Sequence, residues 1–226
     1  MMQRRWTHSL LALGLSFTIG LIGGSALAEA EKHPFGPLLP PVSSKPKPTA
    51  LTPDEEARLK DGKSVLRQVE TADGGYGVAI QDIDASVNTV WDTILSYDRY
   101  PDWVDNVASC TVYKSPKPDI LYVDMEISVM FVSSHLYTIN TVKRSEGYMT
   151  WILDRDRKSS VKDTVGYWMV SPHPQDPKRS RVEYSSQMIV SGIPEFIAKF
   201  LTRDSLKGGT VWVKKRAEEA AKKVKN

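Results

Sequence analysis

Ile120-Leu-Tyr-Val-Asp-Met-Glu-Ile-Ser-Val-Met-Phe131 has a period of two: Leu121, Val123, Met125, Ile127, Val129 and Phe131 fall on one side, Asp124, Glu126 and Ser128 on the other. Such a run is a strand with one dry and one wet face, and one-sided burial marks an antiparallel sheet. The pattern continues outward. Ala108–Lys114 precedes it; His135–Lys143, Tyr148–Asp154, Lys162–Val170 and Arg181–Val190 follow. The separators, such as Ser115-Pro116-Lys117-Pro118-Asp119 and Glu146-Gly147, are short and rich in turn formers. Six consecutive strands joined this way form a meander.

Further upstream, Thr52-Pro53-Asp54-Glu55 opens a short helix with a capping box, and Gly62 stops it. Ser64–Thr71 and Tyr76–Ile83 are strand-like and flank the turn Asp73-Gly74-Gly75. Asp84-Ala85-Ser86 then caps a helix with Val87, Val90, Trp91, Ile94 and Leu95 at helical spacing, and Tyr100-Pro101-Asp102-Trp103 ends it and begins a shorter one. Downstream, Pro194 starts a long helix with Phe196, Ile197, Phe200 and Leu201 on one face; Gly208-Gly209 is expected to interrupt it before Val211–Lys225. The order predicts an α+β fold: a curved antiparallel sheet of about seven strands wrapped around a long C-terminal helix, with two short helices after the first strand. Trp91 and Trp103 are expected to plug one end. A sheet with more area than one helix fills leaves room for a ligand between them.

The ends of the chain carry different signals. Met1–Trp6 holds Arg4 and Arg5 without an acid, Leu10–Ile22 is apolar, and Ser25-Ala26-Leu27-Ala28 closes the segment with an A-x-A pattern. An apolar run of 13 residues is short of the ~20 that span a bilayer. Residues 1–28 are therefore expected to be a signal peptide, and the mature chain, starting at Glu29, to be periplasmic or secreted. Residues 29–53 hold seven of the fourteen Pro residues and are predicted to be an extended linker, because Pro lacks the N–H a ladder needs. Residues 54–226 are predicted to be one ligand-binding domain.

Composition narrows the chemistry. The chain has 226 residues, 41% of them hydrophobic, and its net charge of +3 falls to +1 when the two arginines of the leader are removed. That excess does not mark a nucleic-acid binder. A single Cys excludes an intramolecular disulfide and thiolate-built metal sites. His8, His33, His135 and His173 leave little material for another metal centre. There is no P-loop, G-x-G-x-x-G or G-x-S-x-G elbow, and no cofactor is expected.

Val90-Trp91-Asp92 and Tyr97-Asp98-Arg99-Tyr100-Pro101-Asp102-Trp103-Val104 resemble the opening helices of the polyketide cyclase/dehydrase and coenzyme Q-binding family, within the START-like (SRPBCC, helix-grip) superfamily. Gly166-Tyr167-Trp168-Met169-Val170-Ser171-Pro172 is similar to a later strand of that group, as are Val182-x-Tyr184 and Ile193-Pro194 before the last helix. The resemblance covers about residues 63–222 and implies a helix-grip fold. It implies a range of functions, from lipid, sterol and quinone carriers to aromatase/cyclases, without choosing among them.

The candidate ligand-binding positions are the apolar residues expected between sheet and helix: Met125, Ile127, Val129, Phe131, Trp151, Leu153, Met188, Phe196 and Phe200. Tyr137, Trp168 and Tyr184 join them as groups able to offer a hydroxyl or indole N–H to a polar end. No catalytic residue is assigned. His135 would need Asp124 or Glu126 as a partner, and both are expected to face solvent. Cys110 is read as a small buried apolar residue and His173, in Pro172-His173-Pro174, as surface. Residues 194–226 carry nine Lys/Arg against four acids, a basic excess that suits contact with an anionic membrane surface. The competing reading of that helix is a solvated face with Glu218–Lys222 and Glu219–Lys223 pairs. The expected function is that of an exported carrier or sensor of a small hydrophobic molecule such as a lipid, sterol or quinone. The alternative is an aromatase/cyclase acting on a polyketide-like or other apolar substrate.

Overall fold

Thr52 begins the ordered domain with the capping box: its Oγ1 accepts from Glu55 N, and the Glu55 carboxylate accepts from Thr52 N at 2.8 Å. Helix α1 (Pro53–Lys60) follows. The structure is a computed structural model that describes residues 30–225 apart from Ala72, Phe131, Ser191, Ile193, Glu195, residues 197–200 and residues 202–204. The expected signal peptide lies outside the described residues.

Eight strands are present: β1 (Val65–Thr71), β2 (Gly74–Ile83), β3 (Val107–Lys117), β4 (Ile120–Val129), β5 (Val132–Lys143), β6 (Tyr148–Leu153), β7 (Asp163–His173) and β8 (Asp176–Ile189). They form one antiparallel sheet in the order β1-β2-β8-β7-β6-β5-β4-β3. The count exceeds the expected seven because both upstream runs pair fully, from Val65↔Ile80 to Thr71↔Gly74. Helices α2 (Val87–Leu95) and α3 (Tyr100–Trp103) therefore follow the second strand, not the first.

Helix α4 (Ser205–Lys225) crosses the concave face and runs unbroken through Gly208-Gly209. Packing overrides propensity here. A Cβ on Gly209 would lie 2.6 Å from Tyr184 Cδ1, so glycine lets the helix settle onto that ring. Its expected Glu–Lys pairs are replaced by Lys214–Glu218 at 2.5 Å and Arg216–Glu219 at 2.9 Å.

The main core joins α2 to the sheet and to α4, with Val90, Trp91 and Ile94 meeting Ile83, Val182, Val213 and Ala217. Trp91 is the expected plug, fully buried; Trp103 is half-buried at the rim of the cavity described below. Tyr97, Tyr100, Val107, Cys110 and Val123 form another cluster, in which burial pushes the Cys110 thiol up to about 12 and so keeps it un-ionised.

The outer face departs from expectation. The Pro-rich segment is laid against the sheet instead of spacing it. Leu38 N and Leu39 N donate to Asp163 Oδ2 at 2.7 and 2.8 Å. Thr49 donates through N and Oγ1 to the Glu183 carboxylate at 3.0 and 2.8 Å. His33 N donates to Arg155 O at 3.0 Å. Both carboxylates are buried. A segment poor in N–H groups cannot ladder with itself, yet the ones it retains add hydrogen bonds to two acids that the sheet buries with few partners of its own.

His173, expected at the surface, is also buried. Its Nδ1 accepts from Gln175 N at 3.2 Å, so Nε2 carries the proton and donates to Asp82 Oδ2 at 3.0 Å. Arg181 grips the same Asp82 at 2.7 Å and Glu56 of α1 at 2.8 Å, tying three elements together.

Candidate functional site

Between the concave face and α4 lies a cavity of about 590 Å³. Every strand from β3 to β8 contributes to it. The inward residues of β4 are Val123, Met125 and Ile127, the set that the period-two reading put on the dry face. On β6, Trp151 lies flat over Gly166, where a Cβ would come within 2.1 Å of the indole. Trp151 stacks on Tyr184 with centroids 5.6 Å apart, and Trp168 tilts against the same ring at 4.4 Å. These three rings make an aromatic floor, and Met188 lies beyond it along β8.

The structure brings Met125, Ile127, Trp151, Trp168, Tyr184 and Met188 together at the cavity wall. Five of the remaining candidate positions lie elsewhere or outside view. Val129 and Leu153 are off the cavity lining and pack with Val161 and Leu201 in the core cluster that backs Ile127 and Met188. Phe196 is 37% exposed and off the cavity wall. Phe131 and Phe200 lie outside the described residues.

Tyr137, the twelfth candidate, faces the other way. On β5 it is Leu136, Thr138 and Asn140 that line the cavity, so alternation turns Tyr137 to the outer face. There it stacks on His135, with Arg157 5.4 Å from its ring. His135 Nδ1 sits 2.9 Å from Asp124 Oδ1, the orienting partner the sequence suggested, on the side of the sheet away from the cavity.

Several lining groups escaped the sequence reading. Tyr97 and Tyr100 come from the turn between α2 and α3, and Trp212 from α4 meets Tyr100 edge-on at 4.9 Å. Leu136, Thr138 and Asn140 follow from Met125↔Leu136 and Val123↔Thr138 once the β4–β5 register is known. The signal was the turn: a tight hairpin pairing Val129 with Val132 fixes the phase of β5.

The opening lies between Val104, Asp105 and Asn106 on one side and Gly208, Val211 and Lys215 of α4 on the other. Val211 is 52% exposed there. Among the described lining residues charge is confined to this rim, in Asp105 and Lys215, and the other titratable groups are phenols. Burial raises the pKa of Tyr97, Tyr100 and Tyr184, so all three stay protonated. Among the described residues no three His, Cys, Asp or Glu side chains gather to hold a metal ion.

Residues 83–208 match the family described as polyketide cyclase / dehydrase and lipid transport. No curated protein matches the sequence. Solved structures with the same fold include TTHA0849 from Thermus thermophilus, at TM-score 0.53 and 13% identity, covering 71% of this chain and 100% of that one. The Zhui aromatase/cyclase from Streptomyces sp. R1128 aligns at TM-score 0.50 and 12% identity, over 72% of this chain and 97% of its own. Human STARD10 aligns at TM-score 0.51 and 10% identity, over 75% and 80%. At these identities the likeness is one of fold.

Proposed function

The chain belongs to the polyketide cyclase / dehydrase and lipid transport family, and we propose that it works as an exported carrier or sensor of one small hydrophobic molecule. The observation that carries this reading is the 590 Å³ cavity with a largely aromatic and aliphatic wall, whose charged groups among the described residues stand at its mouth. A ligand that loses ~400 Å² of apolar surface gains about 10 kcal/mol gross at ~25 cal/mol per Å². Association and ordering remove several kcal/mol, which leaves about micromolar affinity or better.

A cyclase reading draws on the family's description and on the fold shared with the Zhui enzyme. Acid–base chemistry needs a group that exchanges protons near the working pH. Among the described residues the inward titratable groups are phenols that burial holds protonated, and the His135–Asp124 pair lies on the opposite face. Carriage is therefore favoured.

Export rests on the leader sequence. No described helix is long and apolar enough to cross a membrane. Native mass spectrometry of protein purified from its own compartment tests both parts at once. The expected result is a chain starting at Glu29 that retains a small apolar mass. A chain retaining Met1, or one that releases no ligand on gentle activation and takes up none afterwards, would contradict the respective part.

Loading from an anionic membrane completes the proposal. Lys215, Lys222 and Lys223 of α4 are exposed, whereas Lys214 is tied to Glu218 and to Asp82 O. Vesicles containing anionic lipid should bind the protein at low salt and lose it as salt rises. Reversing the three exposed lysines to Glu should abolish binding. Equal binding to neutral vesicles would remove the helix from this role.

A further inference from the structure

We infer that polar groups set deep in the cavity wall read a hydroxyl group, so that the ligand is a neutral amphiphile entering polar end first. The inference rests on the carrier reading and names the class of its ligand.

Depth follows from register. Ser128 N donates to Asn106 O at the rim, so Ile127 is the outermost lining residue of β4. Inward from it the paired rows are Met125↔Leu136, Val123↔Thr138 and Leu121↔Asn140. Six strand positions separate the Ile127↔Ser134 row from Asn140, about 20 Å at ~3.4 Å per residue. Thr138 and Asn140 therefore lie inward of Ile127, with Ser186 in the Asn140 row, and the Met149–Trp168–Tyr184 row closes the wall beyond them.

Asn140 and Thr138 are only 5% and 7% exposed. Asn140 Nδ2 donates to Thr138 Oγ1 at 3.0 Å and to Leu121 O at 3.4 Å. A carbonyl oxygen can only accept, which fixes the orientation of the amide. Asn140 Oδ1 then accepts from no described group, and the Thr138 hydroxyl keeps its own hydrogen to give. Trp151 pairs with Asn140, and Met149, two residues before Trp151 on the same face, takes the Tyr97 hydroxyl on its sulfur at 3.5 Å. A thioether is a weak acceptor. One acceptor and two donors thus stand at the same end of the cavity.

A hydroxyl, which both donates and accepts, satisfies this set. A ketone or quinone carbonyl accepts from Thr138 or Tyr97 but leaves Asn140 Oδ1 unpaired. A carboxylate turns oxygen toward Oδ1, and Lys215, the one cation among the described lining residues, is at the rim. A hydrocarbon leaves Asn140 Oδ1 unpaired and offers nothing to the Thr138 hydroxyl hydrogen, which costs affinity. At ~30 Å³ per water-sized group the cavity takes on the order of 20 non-hydrogen atoms.

Four twelve-carbon probes separate these cases: 1-dodecanol, 2-dodecanone, dodecane and dodecanoate, titrated against the fluorescence of the lining tryptophans. 1-Dodecanol should bind about tenfold more tightly than 2-dodecanone or dodecane, with dodecanoate weaker still. Asn140→Leu should bring the alcohol within about twofold of the alkane, the residue left when one buried hydrogen bond is lost. Thr138→Val and Tyr97→Phe, near-isosteric changes, should each cost the alcohol several-fold and carry the test if Asn140→Leu fails to fold. Equal affinities for all four probes, or an alcohol preference that survives all three variants, would overturn the inference while leaving the carrier reading intact. Binding of none of the four would overturn the carrier reading itself.

Discussion

Tyr184 and Gly209 decide how closely the helix approaches the sheet. The ring lies between Trp151 and Trp168 and under the helix backbone, at a spacing that a Cβ on residue 209 would violate. Gly208, one residue earlier, has nothing within 4 Å of where its Cβ would stand. The two glycines should answer opposite ways to the same change. Gly209→Ala is expected to lose about 1–3 kcal/mol through overpacking. Gly208→Ala should gain about 0.5–1 kcal/mol, because glycine in a helix interior is costly. Urea unfolding measures both, and a Gly209→Ala protein as stable as the parent would show that the contact is looser than described. The sequence displays both glycines as helix breakers, since local propensity carries no trace of the Tyr184 ring. Tyr137 was lost for a related reason: its side of β5 depends on a turn register that a single strand does not reveal.

The element that sequence reading misplaced most is the Pro-rich strap. Its contacts span more than a hundred residues of chain, from Leu38 and Thr49 to Asp163 and Glu183, and no local pattern announces such pairing. The strands fared better. Alternation located β2 to β8 because each has one face on the core, whereas β1, with only Val65 buried, was read as strand-like without it; boundaries moved by a few residues where turns joined the ladder, as at Gly74 and Asp176. The strap's role is open to deletion. Removing residues 30–50 takes away two backbone donors from Asp163 and two donors from Glu183. Asp163 keeps Arg155 at 2.8 Å and Thr164 N at 2.9 Å, and Glu183 keeps Tyr167 at 2.5 Å. The shortened protein is expected to be about 2–4 kcal/mol less stable in urea, at a net worth near 1 kcal/mol for each lost bond. A free linker would leave the midpoint unchanged.

At the scale of the molecule, sheet curvature and one crossing helix create an interior that the two surfaces do not fill. α4 rests on β2 and on Tyr184, with Leu206 against the backbone of Gly77, and β3 to β8 enclose the remaining space with the α2–α3 turn. The existence of such a space was legible from strand count against helix count. Half of the named candidate residues reach it, all of them on β4, β6, β7 or β8. Its polar inner rows were not legible, because Thr138 and Asn140 are ordinary polar residues until register places them inside. The central claim is that this interior binds a small hydrophobic molecule. It is tested most directly by titrating N-phenyl-1-naphthylamine, a neutral fluorescent probe, into the parent and Met125→Trp proteins while recording their melting temperatures. Met125 is half-buried on the cavity wall, so the indole has room to enter. The account predicts micromolar or tighter binding by the parent and its loss in Met125→Trp at an unchanged melting temperature. A parent that binds nothing, with a variant whose melting temperature falls by roughly 3–10 °C as overpacking of a solid core would cause, would contradict it.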